Sequence, residues 1–132
     1  MKIEGLRIDL EGGTPHGDTL QFTPGQRLAG RVTLQADRDL TVKAVTVLVQ
    51  WKTSGKGNVD IGVAWTNTWP VEPAEQALQP GRALSRPFEC TLPVEPWSYA
   101  GQIVSIEWEV RAVLDVPWAV DPAVSRPFRL HP

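Results

Sequence analysis

Val104-Ser105-Ile106-Glu107-Trp108-Glu109-Val110-Arg111-Ala112-Val113-Leu114 is the stretch that decides how this chain folds. Its even-numbered residues are all apolar, and Ser105, Glu107, Glu109 and Arg111 between them are polar. Successive side chains of a strand point to opposite faces, so this period of two predicts a long β-strand with one greasy face. The strand is expected over Ile103 to Val116 as the longest of the fold, with Trp108 at its middle in the core. Glu107, Glu109, Arg111 and Asp115 then share the opposite face. They read as a solvated surface with cross-strand charge pairs in preference to the paired carboxylates of a glycosidase.

Upstream, Leu92-Pro93, Pro96, Ser98-Tyr99 and Gly101 lead into that strand through a proline-bracketed crossover. Phe88, Cys90 and Leu92 alternate before it, which places Cys90 inward as a small hydrophobe. Residues 41–51 carry β-branched side chains on both faces, the pattern of a central strand. A polar hairpin tip follows at Thr53 to Asn58, after which Val59, Ile61, Val63 and Trp65 resume period two, so these two strands should pair. Leu6, Ile8 and Leu10 alternate with Arg7 and Asp9 as a first strand, and Gly12 to Gly17 reads as a loop. Leu20 and Phe22 form a short strand before Pro24-Gly25, where proline presets φ and glycine accepts φ > 0. Leu28, Gly30, Val32 and Leu34 then face one way against Arg27, Arg31, Thr33 and Gln35. Asn67 to Ala83, holding Pro70, Pro73 and Pro80, is expected to be a long connection without a strand, with room for a helical turn near Ala74 to Ala77.

At 132 residues, folding removes roughly 65–70% of the unfolded surface from water, enough for one core, so residues 1–132 are taken as a single domain. Twelve Pro and 11 Gly break the chain too often for long helices. Seven to nine strands with turns at sandwich intervals make the fold all-β. Two tetrapeptides recur, Ser-Arg-Pro-Phe at 85–88 and 125–128 and Pro-Val-Glu-Pro at 70–73 and 93–96. Their unequal spacing argues against a solenoid, and the Arg-Pro-Phe copies read as strand starts.

Over most of its length the chain resembles the amino-terminal sandwich of arrestins, especially α-arrestins and bacterial sporulation-control proteins. The resemblance rests on Phe22-Thr23-Pro24-Gly25-Gln26 with Gly30-Arg31-Val32, and on Leu78-Gln79-Pro80-Gly81. Its strongest part runs from Phe88 to Trp118: Leu92-Pro93, Pro96, Ser98-Tyr99, Gly101, Ile106, Trp108, Val110, Ala112, Leu114-Asp115 and Pro117-Trp118. It implies an antiparallel, immunoglobulin-like β-sandwich of the arrestin N-domain type and a protein-binding, non-enzymatic adaptor or scaffold role. The chain departs from that pattern in carrying one sandwich where arrestins usually have two, as a half-arrestin or a fragment would. It also lacks the Pro-Pro-x-Tyr motif by which α-arrestins recruit ligases.

The polar inventory points the same way. A net charge of −2, from 13 basic and 15 acidic residues, supplies no field to draw the chain onto nucleic acid or anionic membranes. No apolar segment reaches the length of a membrane span or of an export signal, so a soluble, cytoplasmic protein without membrane insertion is expected. His16 in a glycine-rich loop and His131 near the carboxyl end read as solvated. Together with Cys90 they lack the paired spacing of a zinc site, and Ser98 lacks the glycine-flanked elbow of a nucleophile. Gly55-Lys56-Gly57 falls short of a phosphate loop. No catalytic, metal or cofactor group is assigned. Of the 6 tryptophans, Trp108 and Trp51 are read as core, while Trp65, Trp69, Trp97 and Trp118 lie at strand ends or in Pro-rich loops. Those four are the candidate contact residues for a protein partner, which binds through an edge strand, loops or an aromatic patch. A homodimer through an edge strand is the simplest self-association. The alternative is a sandwich that binds a carbohydrate or another ligand, using Trp65, Trp69 or Trp118 as stacking platforms.

Overall fold

A computed structural model describes residues 5–55, 57–117 and 121–132. Its strands are β1 (Leu6–Glu11), β2 (Thr14–His16), β3 (Thr19–Phe22), β4 (Arg27–Gln35), β5 (Leu40–Thr41), β6 (Ala44–Gly55), β7 (Asn58–Pro70), β8 (Ala77–Leu78), β9 (Ala83–Thr91), β10 (Tyr99–Ala100), β11 (Ser105–Asp115) and β12 (Ala123–Leu130). Eight of these are four residues or longer; β2, β5, β8 and β10 are short additions to the strands that alternation predicts. A small sheet runs β1-β4-β9. The large sheet runs β2-β3-β12-β11-β6-β7, with β10 alongside β11, and β5 pairs β8 apart from both.

The two sheets face each other as an all-β sandwich of arrestin-like form. Inward residues follow the alternation directly. Leu6, Ile8 and Leu10 on β1 and Leu28, Val32 and Leu34 on β4 are buried against Val45, Val47 and Val49 on β6 and Trp108, Val110, Ala112 and Leu114 on β11. Trp108 is 1% exposed, and its indole N–H donates to the Pro96 carbonyl at 2.8 Å, so the core's largest ring buries no unpaired polar atom. Trp51 lies directly across from Trp108, ring centroids 5.3 Å apart, and Phe128 flanks Trp108 on the other side at 5.7 Å. Between the sheets, Arg126 on β12 donates to the Ile8 carbonyl at 3.0 Å and Trp65 stacks on Phe88. Cys90 is buried as its alternation predicts, and burial pushes its thiol up to about 11.

Both proline-glycine turns form as their chemistry demands. Gln26 N–H donates to the Thr23 carbonyl and Arg82 N–H to the Gln79 carbonyl, each at 3.0 Å, around Gly25 at φ 79° and Gly81 at φ 87°. Pro at the second position and a positive φ at the third make these type II turns.

Several expectations are corrected. The strand around Trp108 is not the longest, because β6 has 12 residues and β7 has 13 against 11 in β11. Nor is the stretch from Asn67 to Ala83 free of strands. Asn67 to Pro70 stay on the ladder with Val47 to Ala44, and β8 follows a 3-10 turn at Pro73–Glu75. Pro70 is tolerated because it ends an edge strand. The loop expected at Gly12 to Gly17 holds β2, which pairs back on β3 around Gly17-Asp18. The Arg-Pro-Phe prolines are not strand starts. Pro87 sits mid-strand in the edge strand β9, and Pro127 lies where β12 has a ladder partner only in β11, so neither missing donor breaks a two-sided ladder. Among the described residues one pair of strands is parallel, β3 beside the end of β12 at Arg129 and Leu130.

Candidate functional site

The edge of the large sheet formed by β7 exposes apolar side chains that no other described residue covers. Along β6 the odd residues Val45 to Thr53 share the inner face with the even residues of β11, and β7 follows that alternation from Pro70 down to Trp65. There the register shifts: Val49 pairs with Trp65 but Gln50 pairs with Val63, so Ala64 is an extra residue, a β-bulge. The bulge reverses the facing of everything before it. Trp65, Asn67 and Trp69 point toward the small sheet, whereas Val59, Ile61 and Val63 stand on the outer face, 62%, 59% and 49% exposed. The uniform period from Val59 through Trp65 is therefore broken at one residue.

Gly62, between these outward residues, faces inward, and its position is occupied by a ring. A Cβ there would lie 2.5 Å from the Trp51 Cη2 and nearer still to Cζ2 and Cε2. Trp51 thus lies across Gly62 and leans on Trp108, which ties this part of β7 to the core. At the hairpin end, a Cβ at Gly55 would meet the Ile103 carbonyl at 2.5 Å, so the loop before β11 packs against the tip. That loop adds exposed Ile103 and Val104, with Tyr99 beside them.

Next to the apolar row on the same outer face is a polar one that the sequence places in solvent. Glu109 is not solvated: it is buried along with Gln50. Gln50 Nε2 donates to Glu109 Oε2 at 2.8 Å, Lys52 Nζ is 3.0 Å from Oε1, and Ser125 Oγ donates to Oε2 at 3.4 Å. The cross-strand charge pair expected here does exist, but with a buried carboxylate, and every side-chain N or O that is fully buried among the described residues has a partner. Glu107 is exposed.

The four candidate tryptophans are not gathered into one patch. Trp65 and Trp69 are half-buried and packed against the core, and with Asn67, Pro87, Phe88 and Glu89 they line a groove of about 430 Å³ on the open flank between β7 and β9. Trp65 stacks on Phe88 with ring centroids 6.2 Å apart. Trp97 is exposed elsewhere, 5.8 Å from the His131 ring, its indole N–H donating to the Val94 carbonyl at 2.8 Å. Trp118 lies outside the described residues. His16 is exposed on β2 whereas Cys90 is in the core, so the fold does not bring them together with His131. Ser98 holds the end of β12 through two bonds to Leu130, one from its backbone N–H and one to its hydroxyl oxygen. Among the described residues no group of three or more His, Cys, Asp or Glu could hold a metal, and no helix is long and apolar enough to cross a membrane.

Sequence reasoning favoured tryptophans and missed the β7 face. The signal was present as the alternation of Val59, Ile61 and Val63, but alternation identifies two faces without saying which is wet.

Neither a protein-family model nor a curated protein matches the chain. Among solved structures the chain is similar to the sporulation control protein Spo0M from Bacillus subtilis, with a TM-score of 0.67 at 15% identity. The match covers 98% of this chain and 51% of that one, so the chain spans about half the length of that protein. The likeness supports an arrestin-like fold over nearly all of the residues.

Proposed function

We propose that this chain is a non-enzymatic interaction module that adds a strand from another polypeptide to the open edge of β7. The observation that carries this reading is the outer row Val59, Ile61 and Val63, exposed on a terminal strand of the large sheet. An edge strand offers unpaired backbone donors and acceptors, and an added strand gains both those bonds and the apolar contacts of the row. Proteins usually protect such edges with lysine, proline or short length. Residues 58–63 carry no lysine and no proline; the protections on β7 are the inward-facing Asp60 and the bulge at Ala64, and neither covers the outer row. The arrestin-like fold agrees with a scaffold or regulatory role.

Affinity purification of the tagged chain from its native cell, followed by mass spectrometry, tests the reading. Wild type should retain a stoichiometric polypeptide, and a Val59→Lys/Val63→Lys variant should lose it while keeping its melting temperature. An identical set of captured proteins from both chains rejects the β7 edge.

The flank groove carries a second reading. Trp65 and Trp69 flank Asn67 along it, an arrangement that suits stacking of a carbohydrate ring with a polar group between. Glycan titration read by tryptophan emission decides it; emission that stays constant for wild type removes the reading.

A further inference from the structure

From the pattern of β7 we infer that the strand added to this edge is β7 of a second copy, paired antiparallel about a two-fold axis through Ile61. The inference rests on the strand-addition reading and names its partner. An isologous contact brings each residue i against residue j of the other copy and j against i, so the surface must be complementary to itself. The outward residues Val59, Ile61 and Val63 have that symmetry about Ile61, while the inward pair Asp60 and Gly62 does not. With Ile61 on the axis, Val59 faces the other copy's Val63, Ile61 faces Ile61, and Val63 faces Val59, which turns three exposed β-branched side chains per copy into one continuous cross-strand row.

Other registers fail for physical reasons. Directly opposed residues point to the same side of a sheet, so the paired residue numbers must have an even sum. Centring on Asp60 sets two carboxylates against each other, which is destabilising. Centring on Gly62 sets Val59 against Trp65, which the Ala64 bulge has turned to the opposite face. Only the Ile61 centre pairs all three apolar residues. It also places Asp60 opposite Gly62 of the other copy, beside the Trp51 ring that lies across that glycine, and the two Asp60 carboxylates are then diagonal neighbours about 7–8 Å apart, not directly opposed. A partner of unrelated sequence requires no such symmetry from β7.

Single cysteines test the axis, using the purified full chain under mild oxidation. Ile61→Cys should form a disulfide-linked dimer, because opposed Cβ atoms are about 4.5–5.5 Å apart. Val59→Cys and Val63→Cys should each fail alone, since four residues of strand set either one about 13 Å from its copy. Mixing those two variants should produce the crosslinked heterodimer. Wild type, whose Cys90 is buried, should not crosslink. Sedimentation across a dilution series should show a monomer–dimer equilibrium that Ile61→Lys weakens at least about tenfold with an unchanged melting temperature. A strict monomer at the highest attainable concentration, or self-crosslinking of Val59→Cys, overturns the inference. If the monomeric chain still captures a different protein through β7, strand addition stands and only the identity of the strand is wrong. If capture is also insensitive to Val59→Lys/Val63→Lys, both fall.

Discussion

Replacing Gly62 by alanine should destabilise the protein, although it is an apparently favourable change in an edge strand. Gly62 does not have a positive φ, so alanine meets no backbone strain there. Removing a glycine from a strand ordinarily gains about 0.5–1 kcal/mol from reduced freedom of the unfolded chain. Against that gain stands the Trp51 indole, which the new methyl group would approach to 2.5 Å at Cη2 and closer at two other ring atoms, where carbon pairs prefer about 3.5–4.0 Å. The ring has little room to retreat, because Trp108 lies 5.3 Å beyond it, itself pinned by the Pro96 carbonyl and flanked by Phe128. Overpacking of this kind costs about 1–3 kcal/mol, so the net effect is a loss of up to about 2.5 kcal/mol. Urea unfolding measures it, and near-UV circular dichroism of the Trp51–Trp108 pair reports displacement of the ring. In a Trp51→Ala background the obstacle is gone, and Gly62→Ala should become neutral or stabilising, for a coupling energy of about 1–3 kcal/mol in the double-mutant cycle. A stabilising Gly62→Ala in wild type with an unaltered near-UV spectrum would refute the proposed packing of Trp51 over β7.

Two further outcomes follow from the core. Trp108→Ala should cost about 3–5 kcal/mol by equilibrium unfolding, and Trp108→Phe about 1–3 kcal/mol, because phenylalanine fills most of the space but leaves the Pro96 carbonyl unpaired. Cys90 makes stability depend on alkaline pH. Below its ordinary pKa of 9.0 the thiol is protonated folded and unfolded, whereas between 9.0 and about 11 only the unfolded chain releases the proton. Stability attributable to this group is thus intact below pH 9 and falls by no more than about 2 kcal/mol as pH rises to 11. The difference in unfolding free energy between wild type and Cys90→Ala, followed from pH 8 to 11, isolates it, and parallel curves for the two would show that Cys90 ionises freely in the folded protein.

Much of the architecture was legible because strands announce themselves locally. The alternations at Leu6–Leu10, Leu28–Leu34 and Ile106–Leu114 landed on strands with the expected residues inward, and the doubly apolar run at 41–51 became the central strand from Ala44 onward; Val104, expected inward, lies before β11 and is exposed. The Pro-Gly turns were equally readable, since backbone chemistry at two adjacent residues determines their type. Short pairings such as β2 with β3 and β5 with β8 were not, because two or three residues contain too few alternations to rise above loop composition.

At the candidate site the local code ran out sooner. Val59 through Trp65 keeps a perfect period of two in the sequence, yet one bulged residue sends Val63 to solvent and Trp65 to the core flank. Glu109 alternates like a surface residue and is buried, because Gln50 and Lys52 from a strand more than fifty residues earlier hold its carboxylate. The sequence by itself determined which segments extend, which turns close them and that two faces exist along each strand, since these depend on neighbours one or two residues apart. Only the tertiary structure decided which face is wet, which strand ends the sheet and what lies above a glycine, since each of these depends on atoms contributed by distant parts of the chain.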